Sequence, residues 1–241
     1  MNSSRRTFLM AAGTFATYGG SGLLRSARAD GRESSTVHPD DTSTVKGAPL
    51  ARTPPGDLGP FYPVNPPQGT DADLTRSRTA GPRALGPIIE ISGRVLFRDG
   101  TPQAQARLEV WQANAAGRYA HPGDTRTSAP LDPNFHGYAD LTADADGRFR
   151  FLTVRPGSYA VDGLFQRSPH IHFDIRGRDR RLVTQMYFSD TDAKVFAQDK
   201  LLEHDMWGRT NPLPSTIFAS RLADQSTWDA KATRYEFNIV L

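Results

Sequence analysis

The sequence predicts a mainly β protein, an antiparallel β-sandwich with long loops and one or two short helices. Three observations carry this. Short runs rich in Ile, Val, Phe and Tyr recur along the chain. Gly, Pro and Asp-Gly signals separate them at fairly regular intervals, and few stretches hold helical periodicity. Ile88 to Phe97 is a strand pattern, and Arg98-Asp99-Gly100 supplies the turn that closes it. Leu108-Glu109-Val110-Trp111 alternates apolar and polar positions, as a half-buried strand does. Asp144 to Gly147 is punctuation before a strand over Phe149 to Val154, which Arg155-Pro156-Gly157 ends. His170 to Ile175 and Leu182 to Phe188 form a strand pair around Gly177, and Tyr235 to Leu241 is a closing strand. Only Asp192 to His204 and Ser215 to Ala223 favour helix. No repeat at a solenoid period is present.

The 241 residues suit one domain with a substantial core. The formal charge of +3 is misleading as a sign of nucleic-acid binding. Arg5, Arg6, Arg25 and Arg28 lie in residues 1–29, which hold no acid. Without those four, 25 of the 29 basic side chains face 26 acidic ones, a net of −1. No nucleic-acid partner is therefore expected. Ser4-Arg5-Arg6-Thr7-Phe8-Leu9-Met10 resembles a twin-arginine export signal. A mildly apolar run follows, and Ala27-Arg28-Ala29 offers small residues for a signal peptidase. Residues 1–29 are expected to be a signal peptide that delivers the protein to the periplasm or the exterior. The apolar run is too short for a permanent membrane span. Residues 30–53 are polar and expected to be a flexible linker, with the folded β-sandwich domain over 54–241. The chain has no cysteine, which excludes disulfides and thiolate metal sites. This suits a route that exports proteins already folded.

Four residues stand out chemically. In Arg167-Ser168-Pro169-His170-Ile171-His172-Phe173 the two histidines are two apart on a strand. Both point to one face, roughly 7 Å apart along it, a spacing that lets two imidazoles share one metal ion. Tyr119 follows Gly117, where a turn is needed, and Tyr159 follows Pro156-Gly157-Ser158. Taken singly, each has an ordinary structural explanation: a polar strand face for the histidines, ring packing for the tyrosines. Together, two phenolates and two imidazoles suit a hard, highly charged, redox-active ion, with Fe(III) the leading candidate. His121 is two residues from Tyr119 but sits in a loop motif, and Trp111 is expected in the core.

Several segments, in order, resemble the intradiol ring-cleaving dioxygenases, and within them the iron-bearing subunit of the protocatechuate 3,4-dioxygenases. These are Gly59-Pro60-Phe61-Tyr62-Pro63, Glu109 to Tyr119, Leu131-Asp132-Pro133-Asn134-Phe135, Gly157-Ser158-Tyr159, Arg167 with His170-Ile171-His172-Phe173, and Leu182 to Phe188. The resemblance covers roughly residues 55–241. It implies a non-haem Fe(III) held by Tyr119, Tyr159, His170 and His172, with Tyr159 and His172 axial and Tyr119 and His170 equatorial. It implies cleavage of a catechol with O2, between the hydroxyl-bearing carbons, to a cis,cis-muconate-type product, as in aromatic catabolism. Tyr159 would leave the metal as a base, Arg167 would stabilise negative charge on the substrate ring, and Gln185 would stand near it in the pocket. The resemblance also implies an oligomer, of like chains or with a related subunit.

The chain departs from that pattern at Val161, where the family subunit carries a pocket tryptophan, and in a shorter spacing from Tyr159 to His170. Both changes fall on the pocket wall and bear on which catechol is accepted. Two other classes account for part of the sequence. A non-catalytic β-sandwich binding module would explain the strands, and a zinc-dependent hydrolase would use the H-x-H pair.

Overall fold

Eleven strands and two short helices are present in the computed structural model, which describes residues 48–66, 72–77, 81–161, 163, 165–204 and 213–241. The expected signal peptide and most of the expected linker lie outside the described residues. The strands are β1 (Ile88–Leu96), β2 (Arg107–Trp111), β3 (Tyr138–Thr142), β4 (Arg148–Val154), β5 (Tyr159–Val161), β6 (Phe165–Arg167), β7 (His170–Arg176) and β8 (Arg181–Phe188). Helices α1 (Ala193–Phe196) and α2 (Lys200–His204) follow, then β9 (Phe218–Arg221), β10 (Thr233–Glu236) and β11 (Ile239–Val240).

The strands build a sandwich-like, nearly barrel-shaped fold. One layer is β4-β1-β10, with β11 continuing beside β1, and the other is β8-β7-β2-β3. Strand β9 joins them at one edge, through Phe218 and Ala219 to β8 and through Ser220 and Arg221 to β10. Aromatic contacts cross the core between the layers, as in Phe149–Phe173 at 6.1 Å, Phe173–Phe237 at 5.4 Å and Phe188–Tyr235 at 5.1 Å between ring centroids. Pairing is mixed where antiparallel pairing alone was expected, because β1 runs parallel to β10 and β11, and β8 runs parallel to β9.

Two local readings change. Residues 215–223 are not a helix: a 3-10 turn at Ser215–Ile217 leads into β9. There the open backbone edges of β8 and β10 outweigh the weak local helical preference. The closing strand is split into β10 and β11. At the break, the Phe237 N–H donates to the Ser92 carbonyl (2.8 Å) and the Arg94 N–H to Asn238 Oδ1 (2.9 Å). Helical character over 192–204 is present but interrupted between Phe196 and Lys200.

Within the expected linker, residues 48–53 are tied to the domain. The Leu50 N–H donates to the Arg98 carbonyl, and the Thr53 N–H to the Val240 carbonyl. The strap continues past Gly56, whose N–H donates to the Val183 carbonyl (2.8 Å), toward the candidate site.

Gly93 marks the tightest approach in the layer. A Cβ there would lie 1.9 Å from the Phe237 carbonyl oxygen. Gly93→Ala is expected to destabilise the fold by about 2 kcal/mol or more through overpacking, read as a lowered urea midpoint with unchanged slope.

Candidate metal centre

Strand β7 alternates with a period of two, and the alternation is complete. Ile171, Phe173 and Ile175 enter the sandwich core, while His170 and His172 face the other way. The site therefore lies on the outer face of the β8-β7-β2-β3 layer, beneath loops. The neighbouring strands supply its floor in register: Trp111 of β2 and Gln185 of β8 flank His172, and Tyr187 of β8 flanks His170.

The loops bring the tyrosines. Gly117 has φ +81°, and a Cβ on it would lie 2.3 Å from the Ser158 carbonyl oxygen. Only glycine lets the turn before Tyr119 press against the segment before Tyr159. The Asn114 side chain holds that turn by accepting from the Ala116 and Arg118 N–H groups (3.0 and 2.9 Å). The Asp124 carboxylate then accepts the Tyr119 N–H (2.8 Å). Tyr159 sits at the start of the β5–β6 hairpin, directly across from Arg167.

All four expected ligands meet. Tyr119 Oη lies 3.4 Å from His170 Nε2. The Tyr119 and Tyr159 rings are edge-on at 5.7 Å, and the His170 and His172 rings are 4.9 Å apart. Tyr159, the most exposed of the four, is only 8% accessible. His170 Nδ1 is 2.6 Å from the Ser168 carbonyl, an acceptor, so Nδ1 carries the proton and Nε2 presents its lone pair toward Tyr119.

Burial sets the protonation states. Desolvation, then the neighbouring Tyr159, pushes the Tyr119 phenol well above its usual value, and desolvation likewise raises Tyr159. Burial first and the Arg167 charge second depress both imidazoles, His172 to about 3. Without a cation the site therefore holds two protonated phenols and two neutral imidazoles. A bound multivalent cation would reverse the balance for the phenols, because phenolate is a hard anionic donor. The donor set fits ferric iron on these grounds.

Arg167 is buried beside the quartet. Its Nε donates to Asp199 (3.1 Å to Oδ1), and its Nη2 donates to Gln185 Oε1 (2.8 Å) and Tyr187 Oη (3.0 Å). Burial opposes its charge, but the surrounding phenols and Asp199 outweigh that and hold its pKa above the usual value. Gln185 in turn donates to the Asp57 carbonyl (3.0 Å), and Gly59 of the strap packs on the His172 ring.

Some neighbours were not foreseen from the sequence. Trp111 is buried as expected, but in a second cluster outside the two layers, where it stacks on His172 at 4.8 Å and 10°. Asp199 and Tyr187 bind Arg167, and Arg126, paired with Asp124, lies over the Tyr159 ring at 4.3 Å. The register of β2 and β8 against β7 was the one sequence signal for Trp111 and Tyr187; nothing local marks Asp199. His121 stays outside the quartet, with its Nδ1 accepting the Gly123 N–H, and His136 is exposed. Among the described residues, no three of His, Cys, Asp and Glu cluster as a metal site, so the zinc-hydrolase alternative lacks its usual ligands.

Comparison with known proteins shows the family of the chain. The family model described as Dioxygenase matches residues 58–241. The protocatechuate 3,4-dioxygenase beta chain of Burkholderia cepacia is 39% identical over 216 residues, covering 85% of this chain and 88% of that one. The alpha chain of the same enzyme is 29% identical over 198 residues, covering 79% of this chain and 92% of that one. The solved 3-chlorocatechol 1,2-dioxygenase of Rhodococcus opacus 1CP shares the fold, with a TM-score of 0.56 at 20% identity over 78% of this chain and 71% of that one. The chain belongs to the intradiol ring-cleaving dioxygenases and is an enzyme of that class. The binding-module alternative falls with that result.

The depressed histidines make metal-free protein acid-sensitive. The unfolded chain takes up protons below about pH 6.5 while buried His172 does not until about pH 3. Stability from this residue is full above pH 6.5 and is lost as pH falls below it. At pH 5 the loss is expected to be about 2 kcal/mol, and His172→Gln should flatten that part of the curve of unfolding free energy against pH.

Proposed function

We propose that the chain is a non-haem Fe(III) dioxygenase that opens a catechol-type ring with O2, between the two hydroxyl-bearing carbons, to a cis,cis-muconate-type product. Tyr119, Tyr159, His170 and His172 would hold the iron. The observation that carries the reading is the meeting of these two phenols and two neutral imidazoles in one buried cluster beside a buried arginine.

Ferric iron, held by these four residues, would supply Lewis acidity that favours a deprotonated catechol and a redox centre for the reaction with O2. The chain supplies the rest. Tyr159 is the more accessible phenol and sits on a three-residue strand of a small hairpin, so its oxygen would be the better placed to accept a catechol proton. Tyr119 is held from behind through Asp124 and keeps its place. Arg167 stands ready to offset negative charge that grows on the ring, in a pocket where burial strengthens that interaction. Gln185 and Tyr187 fix its Nη2, and Tyr187 Oη also donates to Gln185 Oε1 (2.8 Å). Stacking by Trp111 keeps the His172 plane fixed, and Phe61, Tyr62 and Val161 pack beside it to limit water.

The relatives' substrates, protocatechuate, catechol and hydroxyquinol, share one reacting unit, two adjacent ring hydroxyls. That unit is the proposed substrate class here, with Val161 leaving more room at the pocket wall than a tryptophan would. The chain would act in aromatic catabolism outside the cytoplasm, exported by the twin-arginine signal of residues 1–29. It would assemble with copies of itself or with a related subunit, as the paired alpha and beta relatives suggest.

Purified protein with one iron per chain should be reddish from tyrosinate-to-iron charge transfer, and Tyr159→Phe should shift that band. Elemental analysis that finds no iron, or an unshifted spectrum, would count against the assignment. Arg167→Met is expected to reduce kcat for O2 uptake with a catechol by about 10²- to 10³-fold, the scale of losing one preorganised charge-stabilising donor.

A further inference from the structure

We infer that Asp199 is a positioning residue of this site: its single buried carboxylate sets both the Arg167 guanidinium and Ser168, the residue whose carbonyl orients His170. The inference rests on the ring-cleavage reading above. Asp199 is 1% accessible. Its carboxylate accepts the Arg167 Nε–H (3.1 and 3.3 Å to the two oxygens) and, at Oδ2, the Ser168 N–H (2.7 Å). The carbonyl of that same Ser168 is the acceptor for His170 Nδ1. One anion thus grips two consecutive residues, one bearing the charge over the pocket and the other the hydrogen bond that aims a ligand nitrogen.

The segment that delivers Asp199 is itself stitched to β6. The Gln166 N–H donates to the Gln198 carbonyl (3.2 Å) and Ser168 Oγ to the Val195 carbonyl (3.4 Å). The helical break between α1 and α2 places Asp199 there. Its own N–H donates to the Phe196 carbonyl and its carbonyl accepts from Leu202, which is buried with Tyr187 and Ile217. With Nε on Asp199 and Nη2 on Gln185 and Tyr187, the plane of the guanidinium is fixed from two sides. Among the described residues no partner takes Nη1, which leaves that donor for the substrate. A neutral side chain at 199 would leave Arg167 charged and buried without its counter-ion, free to turn toward the phenols.

Nitrogen-15 NMR of metal-free protein, with Arg167→Met for assignment, is expected to show an Arg167 Nε–H protected from solvent exchange, and the protection to be lost in Asp199→Asn. In the iron-loaded enzyme, Asp199→Asn is expected to lower kcat by about 10²-fold, the cost of misplacing a catalytic group, with KM changed far less. In an Arg167→Met background it should add no more than about 2-fold, because Asp199→Asn keeps a side-chain oxygen for the Ser168 N–H and removes only the charge matched to Arg167. An unprotected Nε–H in the wild type, or a full loss repeated in the Arg167→Met background, overturns the inference. Should Asp199→Asn alone fail to fold, Arg167→Met is compared with Arg167→Met/Asp199→Asn, in which both charges are gone. Equal kcat supports the inference and a further loss of about 10²-fold overturns it. Absence of iron-dependent activity would strike the ring-cleavage reading and leave the NMR result to decide this one.

Discussion

The two-residue alternation of β7 is the constraint on which the molecule depends. Its even-numbered histidines and odd-numbered apolar residues cannot exchange places without a register slip that would drive Ile171, Phe173 and Ile175 out of the core. The packing of the sandwich and the direction of the two imidazoles are therefore one fact. Stability of the core on one face holds the chemistry on the other. The same register carries Trp111, Gln185 and Tyr187 to that face, so three strands act as a rigid plate under the site.

Electrostatics gives the site its tension. Two phenols and two imidazoles are buried together, and each pays for lost water by keeping its neutral form. The Arg167 charge buried beside them is matched by Asp199, which keeps that pair near neutrality. Such a site resists charge on its own groups, and a multivalent cation would be what draws the phenols into their anionic form. Rigidity in the hydrogen bonds behind Tyr119, His170 and Arg167 means little reorganisation is left for the moment of reaction.

Much of this was legible in the chain. The strands that hold the histidines, the turn at Gly117, and the quartet with Arg167 and Gln185 were all marked by local pattern or by resemblance, and the structure brings those residues together. The failures share a cause. Strands β3, β5, β6 and β9 are short, and β9 exists because two open strand edges needed a partner, which no local propensity records. Trp111 is buried as expected, but its position one residue past Val110 places it in the cluster on the outer face of the layer, a choice that register and not composition makes. Asp199 lies in a polar stretch of Gln, Asp and Lys that reads as surface, and it becomes a buried counter-ion only because β6 packs against it.

The chain by itself determined the local motifs in which the two histidines and two tyrosines stand and which face of each strand is apolar, because alternation and turn signals are local properties of covalent structure. Tertiary structure alone decided that the site sits outside the sandwich under the loops, that the strap around Asp57 and Gly59 closes onto it, and that Asp199 rather than some other acid neutralises Arg167. Those outcomes depend on contacts between segments far apart in sequence, where the loss of water, not local preference, selects the partner.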